Sequence, residues 1–372
     1  MKILISAGEA SGDNYGALLA RALKKKNRGA NIIGFGGRAM AASGVDVKIE
    51  LTKFALVGFI EVVKKLKSII GVYNRALEII KLEKPDALVV IDYPGFHLKL
   101  IKDARALGVK KIVYYITPQV WVWKYKRIFK IKKYTDLCVV VYPFEEKIFA
   151  KEGINVRYFG HPLKEMIPAV KKTKNKSGKV YNVGIFPGSR ENEIKQFIGP
   201  ILEACSLTEQ KVKRVKFTVF LASEADREFI QGRLSGYKGL VIEYKDGKDY
   251  AARAALDAAI AKSGTTTLEL AMMGIPMAVV YRVNSLTFMM IKPMLTAKYA
   301  ALPNIIAEKE LVREFLQHNF KPEPVAEEII RIITDKKYSV SIKASLKKAV
   351  GSLDTNHKPS NKTAAAILGL LK

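Results

Sequence analysis

Cysteine is nearly absent: the 372 residues carry two, Cys138 and Cys205. Cys138 sits in the apolar run LCVVV at 137–141, Cys205 falls in an expected helix, and neither has the spacing of a zinc site. Both are expected to fill core in a reducing compartment, which argues against a disulfide-held scaffold. Long apolar runs are missing too. None approaches the roughly 18 residues of a membrane span. The run after Lys2 is three residues long, so no signal peptide is expected. Acids are scarce, 35 against 63 bases, leaving a net charge of +28. That excess speaks of partners and solubility rather than of fold. It leaves three partner classes open: nucleic acid, an anionic membrane surface, or phosphorylated substrates. No short repeat and no long low-complexity tract is present.

What is there is a large apolar fraction, 49%, in a chain long enough for two domains. Short β-branched runs alternate with helical segments. Strands are expected at 2–7, 31–37, 87–92, 111–116, 137–142 and 156–160, with helices at 14–26 and 72–83. Near-continuous apolar strands of this length suit a parallel sheet covered on both faces. The pattern predicts a doubly wound α/β domain over residues 1–170. The lysine-rich KKTKNKSGK at 171–179 reads as a linker. Alternation restarts at 181–189, 216–222, 239–244, 257–264 and 275–281, giving a second α/β domain over 180–322 and a cleft between the halves. Residues 323–372 read as a basic helical segment.

Two glycine turns carry opposite charge. The first, GEASGD at 8–13, holds Glu9 and Asp13, which would repel a phosphate but suit hydroxyls, where a carboxylate accepts a hydrogen bond or a proton. Asp13 reads first as a cap on the helix that follows. The second, PGSR at 187–190, offers Gly188 and Ser189 for close backbone approach and Arg190 as a cationic fork. Ser263, Gly264 and Thr265 stand at an expected helix start, where free N–H groups attract anions. Glu269, one turn on, suits the vicinal hydroxyls of a ribose, or serves simply as capping chemistry. Asp92 closes a buried strand where α/β sheets place ligands, and Pro94-Gly95 turns the chain behind it. His97 could titrate near neutrality but reads first as structural. Residues 117–133 hold both tryptophans and then six cations in ten residues, either a solvated basic helix or a wall facing phosphates or headgroups.

The segment 56–70 fits an amphipathic helix with Leu56, Phe59, Val62, Val63, Leu66, Ile69 and Ile70 on one broad face. Lys65 and Lys67 flank that face, as in a helix lying in a membrane interface. The same pattern also fits a core helix. The apolar group LTFMMIKPML at 286–295 adds to the case for membrane contact.

These motifs taken together resemble the lipid-A-disaccharide synthase family, glycosyltransferase family 19. They are GEASGD (8–13), VGFIEVVKKLKSII (57–70), IDYPGF (91–96), PQVWVWKYKRIFKI (118–131), PFE (143–145), GHP (160–162), PGSRENEI (187–194), SGTTTLE (263–269), YR (281–282) and LPNIIA (302–307). The resemblance implies the GT-B architecture, two facing Rossmann-like domains, the first serving the acceptor and membrane and the second the UDP-sugar. It implies an inverting transfer from UDP-2,3-diacylglucosamine to 2,3-diacylglucosamine 1-phosphate in lipid A and lipopolysaccharide biosynthesis. It also implies no metal or cofactor, and a peripheral location on the anionic cytoplasmic face of the inner membrane of a Gram-negative cell. Donor binding carries over to Gly188, Ser189, Arg190, Ser263, Gly264, Thr265, Glu269 and Asn304. Acceptor chemistry carries over to Glu9 and Asp92, and acyl-chain contact to Phe59, Ile60, Val62, Val63, Leu66, Ile69 and Ile70. One departure stands out. Many relatives have an acid at the position of Gly95, in a D-x-P-D-F-N pattern, and here the stretch is DYPGFH. Glycine cannot take a proton, so the base is Asp92 or Glu9, or that acid is not the family's general base.

Other readings stay open at this point. A UDP-N-acetylglucosamine 2-epimerase or another glycosyltransferase would share the architecture, and a non-catalytic nucleotide-sugar binder would explain Gly95. A nucleic-acid-binding protein is disfavoured, since the lysines are dispersed and no such motif occurs. Oligomeric state, a homodimer included, is not readable.

Overall fold

A computed structural model describes residues 1–54, 66–168, 180–188, 191–221, 225–237, 239–284, 288–289 and 298–372. Most of the expected interfacial helix, the lysine-rich linker, Ser189, Arg190 and most of 286–295 lie outside the described residues. The chain divides into two compact units.

The first unit is built mainly from Met1–Met166 and Leu353–Lys372. Its strands are β1 (Lys2–Ala7), β2 (Asn31–Phe35), β3 (Asp46–Ile49), β4 (Ala87–Ile91), β5 (Lys111–Tyr115), β6 (Leu137–Val140) and β7 (Val156–Tyr158). They form one sheet in the order β3-β2-β1-β4-β5-β6-β7, and every pairing is parallel. Ile3, Leu4 and Ile5 and all of Ala87–Ile91 are buried, as strands covered by helices on both faces must be. The helices are α1 (Ala10–Lys26), α2 (Arg38–Ala42), α3 (Leu66–Glu83), α4 (Pro94–Ala106), α5 (Arg127–Tyr134) and α6 (Pro143–Lys151). Helix α3 runs unbroken through Gly71, so the apolar segment ending at Ile70 and the helix expected at 72–83 are one element over their described part.

The second unit spans most of Ile167–Ser352. Strands β8 (Tyr181–Phe186), β9 (Val215–Leu221), β10 (Ile242–Asp246), β11 (Ala258–Lys262), β12 (Met277–Tyr281) and β13 (Glu314–Leu316) pair in the order β10-β9-β8-β11-β12-β13, again all parallel. Helices α7 (Glu191–Lys211), α8 (Ala225–Leu234), α9 (Tyr250–Ala254), α10 (Thr265–Met272), α11 (Leu302–Ala307), α12 (Pro322–Thr334) and α13 (Lys336–Gly351) accompany them.

The C-terminal segment, expected as one block from 323, is divided. Helices α12 and α13 belong to the second unit. The last helix, α14 (Pro359–Leu370), belongs to the first and packs on α1. Glu165 anchors its start, accepting from the Ser360 backbone N–H and hydroxyl at 2.7 Å each. Among the described residues no helix is long and apolar enough to cross a membrane.

Candidate active site

In each sheet the strand order reverses once, and ligands of open α/β sheets bind outside the strand ends at that reversal. In the first unit the reversal falls between β1 and β4, where Ala7 pairs with Ile91. Glu9 and Asp92 therefore leave neighbouring strand ends. Glu9 is the N-cap of α1 and Asp92 follows β4; both are half-buried.

The backbone here is strained. Asp92, Tyr93 and Ile116 have φ of 48°, 49° and 59°, a left-handed conformation that costs non-glycine residues about 1–3 kcal/mol each. Two bonds hold the turn at one atom: the Asp92 carbonyl accepts from the Tyr114 hydroxyl at 2.9 Å and from His97 Nδ1 at 2.6 Å. A carbonyl only accepts, so Nδ1 carries the proton, and Nε2 then accepts from the Ser6 hydroxyl at 2.8 Å. His97 thus ties β1 to the turn after β4. Its burial pushes its pKa down to about 4, so the ring is neutral at pH 7 and takes the structural role.

The glycine turn has its own logic. A Cβ on Gly8 would fall 2.1 Å from Tyr93 Cδ1, so the left-handed Tyr93 can lay its ring across position 8 only if that residue is glycine. Asp13 does not cap its own helix. It is buried inside α1, and its carboxylate accepts from the N–H groups of Gly37, Ala39 and Met40 at 2.7, 2.8 and 3.2 Å. It caps α2, a structural role in place of the acceptor-side chemistry open to it in the sequence. Gly95 is exposed in the first turn of α4, with nothing within 4 Å of an added Cβ. Gly95→Asp is therefore expected to fold and to gain about 1 kcal/mol in denaturant unfolding, from helix propensity and the helix dipole. Turnover unchanged by it would leave the base at Asp92 or Glu9, and a large gain would move the role to position 95.

Two buried groups set an acid limit on this unit. His161, which accepts from the Leu163 N–H at 3.2 Å, is held down to about pKa 3 by burial, beside His97 at about 4. Both are depressed below the ordinary value near 6.5, so the stability they contribute is present above pH 6.5 and is lost as pH falls through 4 and 3. The loss is on the order of 3 kcal/mol for His97 and on the order of 5 kcal/mol for His161. Glu145 runs the other way. Burial lifts it to about 7 against bonds from Trp121 and the Val141 and Tyr142 N–H groups, so its contribution fades as pH rises toward 7. Proton NMR of the ring signals is expected to show His97 and His161 unchanged from pH 8 to pH 5. Titration near 6.5 would refute the buried-neutral assignment.

The segment 117–133 is helical only from Arg127. Trp121 Nε1 donates to Glu145 at 3.0 Å, and Lys124 and Arg127 lie over the Trp123 ring at 4.5 and 4.6 Å. Tyr125 and Phe129 are exposed in the same segment, and Ile70 is exposed on α3.

In the second unit the reversal falls between β8 and β11. The turn after β8 carries Gly188 at φ 122°, and β11 leads through Ser263 and Gly264 into α10. Gly264, the N-cap, has φ 154° and ψ −163°, a conformation essentially confined to glycine. The N–H groups of Thr265 and Thr266 precede the first bond of the helix, which the Thr267 N–H makes to the Gly264 carbonyl at 3.0 Å. The Ser263 hydroxyl donates to the Ala300 carbonyl at 2.7 Å. Glu269 is paired with Arg253, a residue that is 5% exposed and whose guanidinium lies 5.0 Å from the rings of both Phe186 and Tyr250. Sequence reading missed Arg253, because its partner is sixteen positions away on another helix.

Asn304 departs from the expected donor contact. It is wholly buried, and its amide is spent on the protein itself. Nδ2 donates to Val312 O and Glu314 Oε1 at 2.8 Å each, and Oδ1 accepts from the Leu311 and Val312 N–H groups at 2.7 and 3.0 Å. Glu314 also takes the N–H groups of Ala300 and Ala301, so LPNIIA braces the segment against which Ser263 bonds.

Two parallel doubly wound units, each with its glycine turn at the reversal of strand order, define the GT-B class of enzymes. Solved structures agree at the level of fold. A putative UDP-N-acetylglucosamine 2-epimerase from Listeria monocytogenes matches with TM-score 0.69 and 14% identity, covering 100% of this chain and 96% of that one. MurG from Acinetobacter baumannii matches at 0.57 and 14%, covering 99% of each. Sequence comparison is more specific. The family model for lipid-A-disaccharide synthetase matches residues 3–368. Lipid-A-disaccharide synthases from Trichlorobacter lovleyi and Coxiella burnetii are 35% and 34% identical, over 93% and 96% of this chain and 91% and 96% of theirs. The chain belongs to the lipid-A-disaccharide synthase family and is a glycosyltransferase.

Proposed function

We propose that the chain transfers the sugar of UDP-2,3-diacylglucosamine to the 6-hydroxyl of 2,3-diacylglucosamine 1-phosphate. The products are the β-1,6-linked disaccharide 1-phosphate and UDP. The observation that carries this reading is the full-length family match, residues 3–368, on a chain whose two strand-order reversals bear turns of opposite charge. The acidic turn receives the acceptor. A carboxylate at Asp92, or Glu9 beside it, takes the hydroxyl proton as oxygen attacks the anomeric carbon from the face opposite UDP. The second unit holds the donor. The N-terminus of α10 and Arg190 stabilise the charge that develops on the departing β-phosphate. Glu269 meets the ribose. The apolar segment at 56–70, the exposed Ile70 and the cations around Trp123 would place the enzyme against the anionic cytoplasmic face of the inner membrane, where its acylated substrates reside.

A transfer assay on purified protein in mild detergent tests this, with radiolabelled UDP-diacylglucosamine offered with and without diacylglucosamine 1-phosphate. Acceptor-dependent disaccharide is the expected product. Donor consumption without acceptor, or none at all, would refute the reading and favour an epimerase or a binding-only protein.

A further inference from the structure

The glycine turns of the second unit enclose a cation that neither motif contains. Lys262 is the last residue of β11, one position before Ser263. Its Nζ bonds Glu193 Oε1 at 2.9 Å. Glu193 stands in the first turn of α7, directly after the other glycine turn. One ion pair therefore spans the two loops at the reversal of strand order, between residues 69 positions apart. The glycines measure how closely it sits. A Cβ on Gly188 would lie 2.7 Å from Glu193 Oε2, and one on Gly264 would lie 3.9 Å from Lys262 Nζ. The ammonium thus stands over the N-cap of α10, with the Tyr281 ring behind it at 5.5 Å.

Structural glue is the plainer account, and energetics weigh against it. The two side chains are 16% and 12% exposed, and taking such a pair out of water returns little net stability. The geometry suits a charged ligand better. An ammonium has three N–H donors and Glu193 takes one. A diphosphate seated on the first turn of α10 would meet Glu193 as a like charge, which Lys262 offsets while offering its other donors to the phosphate.

We propose that Lys262 is a further donor-site residue: its ammonium, held between the two glycine turns by Glu193, contacts the diphosphate of the nucleotide donor and stabilises it on departure. The proposal rests on the donor-site reading above and adds to it a catalytic residue. Calorimetric titration of the full chain with UDP and with uridine tests it. Lys262→Met is expected to weaken UDP binding roughly tenfold, the scale of a hydrogen bond to a charged group. Uridine binding should change less than about twofold, and Lys262→Arg should keep most of the UDP affinity. Because Lys262→Met removes the ion-pair partner of Glu193 Oε1, the Lys262→Met/Glu193→Gln double variant serves if the single one does not fold, and the same contrast is expected of it. Unchanged UDP affinity, or equal losses for UDP and uridine, would overturn the role. Failure of the unaltered chain to bind UDP would instead refute the donor-site reading, and the role of Lys262 with it.

Discussion

Asp92→Asn is expected to lower turnover in the transfer assay by about 10²- to 10⁴-fold, the usual contribution of a positioned base, with the unfolding midpoint unmoved. The structure separates the two effects. It is the carbonyl of Asp92, held by Tyr114 and His97, that fixes the turn, and the carboxylate can change without releasing those bonds. Asparagine also tolerates the left-handed conformation at φ 48°. A loss can therefore be read as chemistry, and the acid limb of the pH–rate profile should go with it. Near-normal turnover in Asp92→Asn with collapse in Glu9→Gln would assign the base to Glu9 instead. The two residues leave adjacent strand ends, so either can serve one acceptor.

Arg253→Ala should destabilise the second unit by about 3–5 kcal/mol, the cost of leaving a buried charge without its partner. Glu269 would keep its carboxylate with 14% of the side chain exposed and no guanidinium beside it. The space between Phe186 and Tyr250 would also be emptied. Arg253→Met/Glu269→Gln should recover most of the loss, since it removes the charge and restores the volume. Both tryptophans lie in the first unit, so their fluorescence would not report this event. Hydrogen exchange at the amides of β8 and α10 would. Full protection of those amides in Arg253→Ala would mean that the pair is not what holds α9 to α10.

Much of the fold could be read from residue order. Strands β1, β4, β8 and β11 are short runs of apolar residues with buried faces on both sides, and such runs have few alternatives once helices flank them. Two of the four edge strands, β3 and β13, escaped notice. Asp46–Ile49 and Glu314–Leu316 are short and mixed in polarity, and their pairing comes from a neighbour rather than from their own pattern. The site divides in the same way. Gly188, Gly264, Glu9 and Asp92 announced themselves because a turn after a buried strand is a local feature. Asn304 looked equally available, yet it is consumed, as Asp13 is on α2, by backbone N–H groups that only the folded chain delivers.

What the sequence by itself determined is the family, the two α/β halves, and the glycine turns that follow their buried strands. Each rests on neighbours in the chain, where spacing and residue type suffice. The tertiary structure decided the partners: His97 for the Asp92 carbonyl, Arg253 for Glu269, Lys262 for Glu193, and α14 for α1. The reason is physical. A hydrogen bond or ion pair acts over a few ångströms, and which residues come that close is set by strand order and helix packing, which no local pattern records.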